Sequence, residues 1–216
     1  MSKSTPASST ETPRVKAGGV ELAVPGPGNF PEVGDRLRTT LFEVLTPSTN
    51  RLLSAYVPQA TLTELTTGKV GDGLRHYAML QVPRQAEYVE CTPETFTQVL
   101  QGVESSMGNL DAKIVGDLGD EMNMRLKSLG SKSIEINRPE MLGGIFKKTD
   151  VSGFAMLVAF KQGERTVTMA TTLAILRVKQ KLLFAYFYKK YESPETVRDL
   201  SKDLEKWTDA LLSANK

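Results

Sequence analysis

Three long runs near the end of the chain are joined by links too short for any strand reversal except one. Phe154–Lys161, Thr166–Val178 and Leu182–Tyr191 are rich in β-branched and aromatic residues, and the links are Gln162-Gly163-Glu164 and Lys179-Gln180. A parallel return needs a crossover of about a dozen residues, so links this short demand antiparallel hairpins. Within Thr166–Val178 the side chains alternate, with Val167, Met169, Leu173 and Ile175 on one face and Thr166, Thr168, Ala170 and Thr172 on the other. The second face is therefore expected to be wetter, or to lie under a helix. Ile134–Asn137 and Gly144–Thr149 read as two further strands ahead of the meander.

A helix to cover such a sheet follows it directly. In Ser193-Pro194-Glu195 a hydroxyl can cap the first turn, proline takes the position where its missing N–H costs nothing, and the acid sits near the positive end of the dipole. Val197, Leu200, Leu204, Trp207 and Leu211 then recur at spacings of three and four, predicting an apolar stripe that faces the sheet with Trp207 buried. The opposite face carries Glu195–Arg198, Asp199–Lys202 and Asp203–Lys206, pairs worth about 0.2–0.5 kcal/mol each. Thr92-Pro93-Glu94 repeats the start signal ahead of Phe96, Val99, Leu100, Val103 and Met107.

Upstream, Val20–Val24 reads as a strand stopped by Pro25-Gly26-Pro27-Gly28, and Asp35–Leu45 as a helix stopped by Pro47. Leu52–Val57 and Arg75–Val82 read as strands, Leu62–Thr66 as a helical turn, and Leu110–Leu129 as a helical stretch weakened by Gly116 and Gly119. Nine of residues 1–19 are Ser, Thr or Pro, so this segment is expected to be a flexible tail. It is either a tether that followed a signal peptide or lipid-bearing residue, or a plain disordered start. The expected organisation is a tail, 1–19, and a single domain, 20–216. Its class is α+β, an antiparallel β-sheet meander with helices packed on it as an α/β/α sandwich.

The final module, Arg165–Leu212, with its long strand, tight turn, aromatic strand and Ser193-Pro194-Glu195 helix ending in Trp207, resembles the PsbP-like and Mog-like α/β/α sandwich group. Val20-Glu21-Leu22-Ala23-Val24-Pro25 followed by Phe30 resembles that group's opening strand and turn, and Asn50–Val57 its second strand. The resemblance implies a largely non-enzymatic protein, since the group holds photosystem accessory subunits, a partner of a small nuclear GTPase and many bacterial extracytoplasmic proteins. No functional residue of the group carries over. The metal-binding histidines of photosystem members have only His76 to map onto.

Composition narrows the chemistry. With 216 residues, 40% apolar and 24% charged, the chain falls in the globular range. Its longest apolar runs, Phe154–Phe160 and Leu182–Tyr188, are ended by Lys, well short of the roughly 20 residues of a spanning helix, so no transmembrane segment is expected. Cys91 is the single cysteine and leaves the compartment open. A Cys–His nucleophile could be built only from Cys91 and His76, but neither stands in a recognisable motif, and a hydrogen-bonded His with an inert thiol is the plain reading. Two such side chains are too few for a zinc site. Asp117, Asp120 and Glu121 share a helical face and could hold a hard cation, or simply form a solvated acidic face. Phosphate-loop, serine-hydrolase and zincin motifs are missing, so no catalytic residue, cofactor or metal is assigned and the chain is read as no enzyme.

Charge is distributed unevenly. Lys147–Lys190 holds nine Lys and Arg against Asp150 and Glu164, whereas Glu87–Glu121 holds eight acids against Lys113. The two regions neutralise each other if the acidic helices pack over the sheet. Otherwise the hairpin ends form a basic rim, with Lys147, Lys148, Lys161, Arg165, Lys179 and Lys181 as the partner-binding candidates. A protein partner ranks first, an anionic membrane surface is possible, and nucleic acid ranks last. The functional expectation is a non-enzymatic binding or assembly module of the bacterial cell envelope, periplasmic or envelope-anchored, otherwise cytoplasmic. The alternative is a carrier or sensor of a small apolar ligand held between sheet and helices.

Overall fold

The short links close hairpins as required. The computed structural model describes residues 12–67, 74–107, 120–121, 123–125, 135–136, 139–162 and 164–216. In chain order the strands are β1 (Arg14–Ala17), β2 (Val20–Ala23), β3 (Asn50–Tyr56), β4 (His76–Pro83), β5 (Glu135–Ile136), β6 (Glu140–Lys148), β7 (Val151–Gln162), β8 (Arg165–Val178) and β9 (Lys181–Lys190). Helix α1 runs through Asp35–Leu37, a π-helical turn Arg38–Phe42 and Glu43–Leu45; α2 is Gln59–Thr66, α3 Pro93–Met107 and α4 Pro194–Ala214.

Strands β7, β8 and β9 form the meander, in register from Gln162↔Arg165 to Val151↔Leu176 and from Val178↔Lys181 to Met169↔Lys190. The seven-stranded sheet has the order β3-β4-β9-β8-β7, with β5 and β6 both on the far side of β7, and every pair is antiparallel. β1 and β2 make a separate hairpin.

Both faces of the sheet are covered. On one, α4 lays Leu200, Leu204, Trp207 and Leu211 over Ala78, Leu80, Ala170, Ala174, Ala185 and Phe187, and the hairpin adds Ala17 and Leu22. Small residues on β4, β8 and β9 let the long helix approach, and Trp207 anchors it, its indole N–H donating to the Pro25 carbonyl at 2.8 Å. The Thr166 face of β8 thus lies under a helix from Ala170 onward and is wet only near Thr166. The capping box of α4 forms between Ser193 and Thr196, and Glu195 pairs with Arg198.

The opposite face is divided. α1 seats Phe42 on Leu52, Ala55, Tyr77 and Met79, while α3 seats Phe96 and Leu100 on Phe154, Ile175 and Leu182. Tyr77, Tyr188 and Tyr186 stack in series on this face, with ring centroids 4.5 and 5.9 Å apart, and burial pushes all three hydroxyl pKa values up. The result is the α/β/α layering expected of an α+β sandwich.

The folded part starts ahead of Val20. Arg14–Ala17, assigned from composition to the tail 1–19, is a strand whose Val15 and Ala17 alternate with exposed Arg14 and Lys16. A four-residue alternation disappears when composition is averaged over nineteen residues. Residues 1–11, and most of the helical stretch expected over Leu110–Leu129, lie outside the described residues; Asp120, Glu121 and 123–125 are helical.

Candidate protein-contact surface

Four chain reversals meet at one end of the sheet. They are the β1–β2 turn, the loop from Arg84 to Thr92 that leads into α3, the β6–β7 turn and the β8–β9 turn. The loop is held from several directions. The Arg84 N–H donates to Thr49 O at 2.8 Å, the Ala86 N–H to Pro83 O at 3.0 Å, and the Cys91 N–H to Gln180 O at 2.8 Å. Within it the Glu87 carboxylate is buried, accepting a two-pronged grip from Arg51 and the Gly18 N–H at 3.3 Å. Those Arg51 hydrogen bonds hold the Glu87 carboxyl below the usual carboxylate range, against the opposing effect of burial. Arg51 also donates to Lys16 O at 2.8 Å, so one ion pair joins the hairpin, β3 and the loop. The Lys181 ammonium, buried beside Gly18, donates to Val89 O at 3.4 Å.

On this fixed base the loop exposes two apolar side chains. Tyr88 is 80% exposed and Val89 57%. Scattered single apolar residues are ordinary on a surface, but an adjacent aromatic and aliphatic pair on a loop tied to four other segments is a presented feature. Next to it the β8–β9 turn has positive φ at both central residues, 46° at Lys179 and 61° at Gln180. That geometry favours Asn or Gly, and each bulkier residue there costs about 1–2 kcal/mol.

The six basic candidates do not form one rim. Lys147 pairs with Glu104 of α3 at 2.8 Å, and Lys148 with Asp209 at 2.8 Å and Glu205 at 3.0 Å of α4, with Asp209 and then Glu205 raising its pKa. Lys181 is buried. Lys161 and Arg165 stand at the far end of β7, whose 12 residues span about 36 Å. Lys179 alone of the six is exposed beside the loop, its ammonium reaching only Glu21 O at 3.4 Å. The Lys147–Glu104 pair is an instance of the mutual neutralisation expected between the basic and acidic regions.

Cys91 and His76 are not brought together. The Cys91 N–H bonds Gln180 at one end of β9 and His76 pairs with Lys189 at the other, nine residues away, about 30 Å. Burial raises the thiol pKa, and burial followed by Lys189 pushes the imidazole down to about 4. Glu121 is engaged internally, accepting the Ser48 N–H at 2.8 Å and pairing with Arg125 at 2.6 Å, and Asp117 lies outside the described residues. The layer between sheet and α4, the place the alternative reading gives to an apolar ligand, is filled by Trp207, Leu200, Leu204 and Leu211. A cleft of about 670 Å³ opens instead at the turn end, lined by Lys148, Asp150, Arg177, Lys179 and the last residues of the chain. Among the described residues no helix is long and apolar enough to cross a membrane.

Sequence reading singled out neither Tyr88, Val89 nor the Arg51–Glu87 pair. The one available signal was an apolar dipeptide inside the charged stretch Arg84–Glu90, which looks the same whether it ends up buried or presented.

No family model and no curated protein matches the chain. Among solved structures it is similar to the Ran-binding protein Mog1p of Saccharomyces cerevisiae, at 10% identity over 94% of this chain and 93% of that one, with a TM-score of 0.37.

Proposed function

We propose that this protein is a non-enzymatic binding or assembly module that meets a protein partner through the turn end of its sheet. The observation that carries this reading is Tyr88, 80% exposed on a loop that Arg51, Gly18, Thr49 and Gln180 hold in place. A fixed tyrosine offers a large contact area while losing little conformational freedom on binding, and tyrosine is enriched among residues that dominate interface energetics. The left-handed residues of the adjacent β8–β9 turn add a second support, because backbone strain that survives selection clusters where a side chain has work to do.

The test is comparative retention. Immobilised wild-type protein and Tyr88→Ala are exposed side by side to extract of the source cells, and bound proteins are identified by mass spectrometry. A protein retained by the wild type and lost from Tyr88→Ala is expected; equal recovery on both sinks the reading. Turnover of a generic ester, phosphate or peptide substrate, abolished by a point substitution, would overturn its non-enzymatic part. The Ser, Thr and Pro content of residues 1–19 supports an envelope location for the module. Recovery in the cytoplasmic fraction of the source cells overturns that placement.

A further inference from the structure

Resting on that reading, we infer that the partner presents an acidic surface around an apolar socket: Tyr88 and Val89 enter the socket, and Lys16, Arg84 and Lys179 face its carboxylates. The inference follows from which charges at this end are already neutralised. Lys148 is held by Asp209 and Glu205, Arg177 by Asp150 and Arg51 by Glu87, while Lys181 is buried against Val89 O. Besides Lys216, the last residue, three cations at this end form no ion pair with the described residues. Lys16 is exposed; Arg84 is exposed, gives its Nε–H to Asn50 O at 3.0 Å and lends the Glu87 carboxylate a weaker, through-space attraction; Lys179 touches a single carbonyl.

All three border the Tyr88 loop. The Lys16 carbonyl accepts from the Arg51 that grips Glu87, Arg84 opens the loop, and Lys179 precedes the Gln180 whose carbonyl receives the Cys91 N–H. The opposing charge on the loop is Glu90, exposed, and Glu94 follows in the first turn of α3. Lys179 is informative in a further way: an ammonium stands in a left-handed position that Asn or Gly would occupy with less strain. An apolar pair on a loop bordered by cations is complementary to a socket bordered by carboxylates. Such charges raise the association rate and reject basic competitors. A protein socket suits the pair better than a lipid surface, because Tyr88 and Val89 project from one loop and leave a lipid bilayer little apolar area to take up.

The experiment uses the full chain and the protein retained in a Tyr88-dependent manner. Its Kd is measured at about 0.05 and about 0.5 M salt, for wild type, Lys16→Glu/Lys179→Glu and the neutral pair Lys16→Gln/Lys179→Gln. The charge reversal is expected to weaken binding by about tenfold or more, the neutral pair by less, and high salt to reduce the difference between them. Unchanged thermal unfolding of the variants shows that the fold is intact. A Kd within about twofold for all three chains at both salts overturns the acidic socket and leaves the protein-contact reading standing. Retention of nothing that depends on Tyr88 overturns both. Vesicles of phosphatidylglycerol and phosphatidylcholine in equal parts form the last arm: binding by the wild type, lost on charge reversal and with no protein retained, assigns the face to membrane and overturns the inference.

Discussion

Two tight turns at the same end of the molecule solve one backbone problem with different residues. Gly18-Gly19 joins β1 to β2 with φ of 53° and 82°, and Lys179-Gln180 joins β8 to β9 with φ of 46° and 61°. In the first turn glycine is doubly required, because a Cβ at position 18 would stand 1.7 Å from the Glu87 carbonyl oxygen. In the second, the long register of β8 on β9 holds the turn closed and side chains occupy positions that disfavour them. One turn is shaped by what packs against it. The other tolerates strain and keeps a cation next to the loop that carries Tyr88.

Five variants break or sharpen that contrast, the first with the largest effect. Gly18→Ala is expected to lower unfolding free energy by about 3 kcal/mol, from left-handed strain together with the collision on Glu87. Gly19→Ala, with nothing within 4 Å of its Cβ, should lose only the strain, about 1 kcal/mol. Urea titration of the two variants compares them directly, and equal losses would mean that the close approach at Gly18 is unimportant. Glu87→Gln comes next, at about 2 kcal/mol, because it leaves the Arg51 guanidinium without its carboxylate and weakens the hold on the Gly18 N–H. It also changes the acid limb. Arg51 depresses the Glu87 pKa, so this stabilisation is complete above the ordinary carboxylate pKa and is lost as pH falls through the depressed folded value. The Glu87→Gln stability profile should be flatter across that range, and a parallel profile would show that the ion pair does not set it.

Replacing the strained turn has the opposite sign. Lys179→Asn with Gln180→Gly is expected to stabilise by about 1–2 kcal/mol, since the new residues suit a turn with two positive φ values. The same double variant should bind the partner more weakly, having lost a cation. A stability gain with unchanged affinity would separate the strain from function. Tyr88→Ala is the smallest change in stability, within about 0.5 kcal/mol, as its side chain is almost free of the protein. A larger loss in thermal unfolding would show that Tyr88 supports the loop rather than being presented by it.

Legibility in the sequence followed the range of the interactions. The β7–β8–β9 meander was readable because link length alone dictates antiparallel pairing, and α4 because its cap and stripe are both local signals. Arg14–Ala17 is hidden because its four-residue alternation is averaged into a Ser/Thr/Pro-rich stretch, and the groups that hold its hairpin, Arg51 on the Lys16 carbonyl and Glu87 on the Gly18 N–H, lie 35 and 69 residues away. The candidate surface was legible only at Lys179. Lys147 and Lys148 look like free charges in sequence, and acids on α3 and α4 neutralise them in the fold. Lys181 reads as part of a basic rim and is buried under the Tyr88 loop.

Periodicity, caps and link lengths therefore determined the α+β class, the order of the last four elements and the burial of Trp207, since each depends on backbone geometry within one or two turns of chain. Which charges are neutralised, which loop is held fixed and which side chains stand out from it were decided by tertiary structure. Those outcomes depend on pairs such as Arg51 with Glu87 and Lys148 with Asp209, whose partners lie 36 and 61 residues apart and meet only when sheet, hairpin and helices pack together.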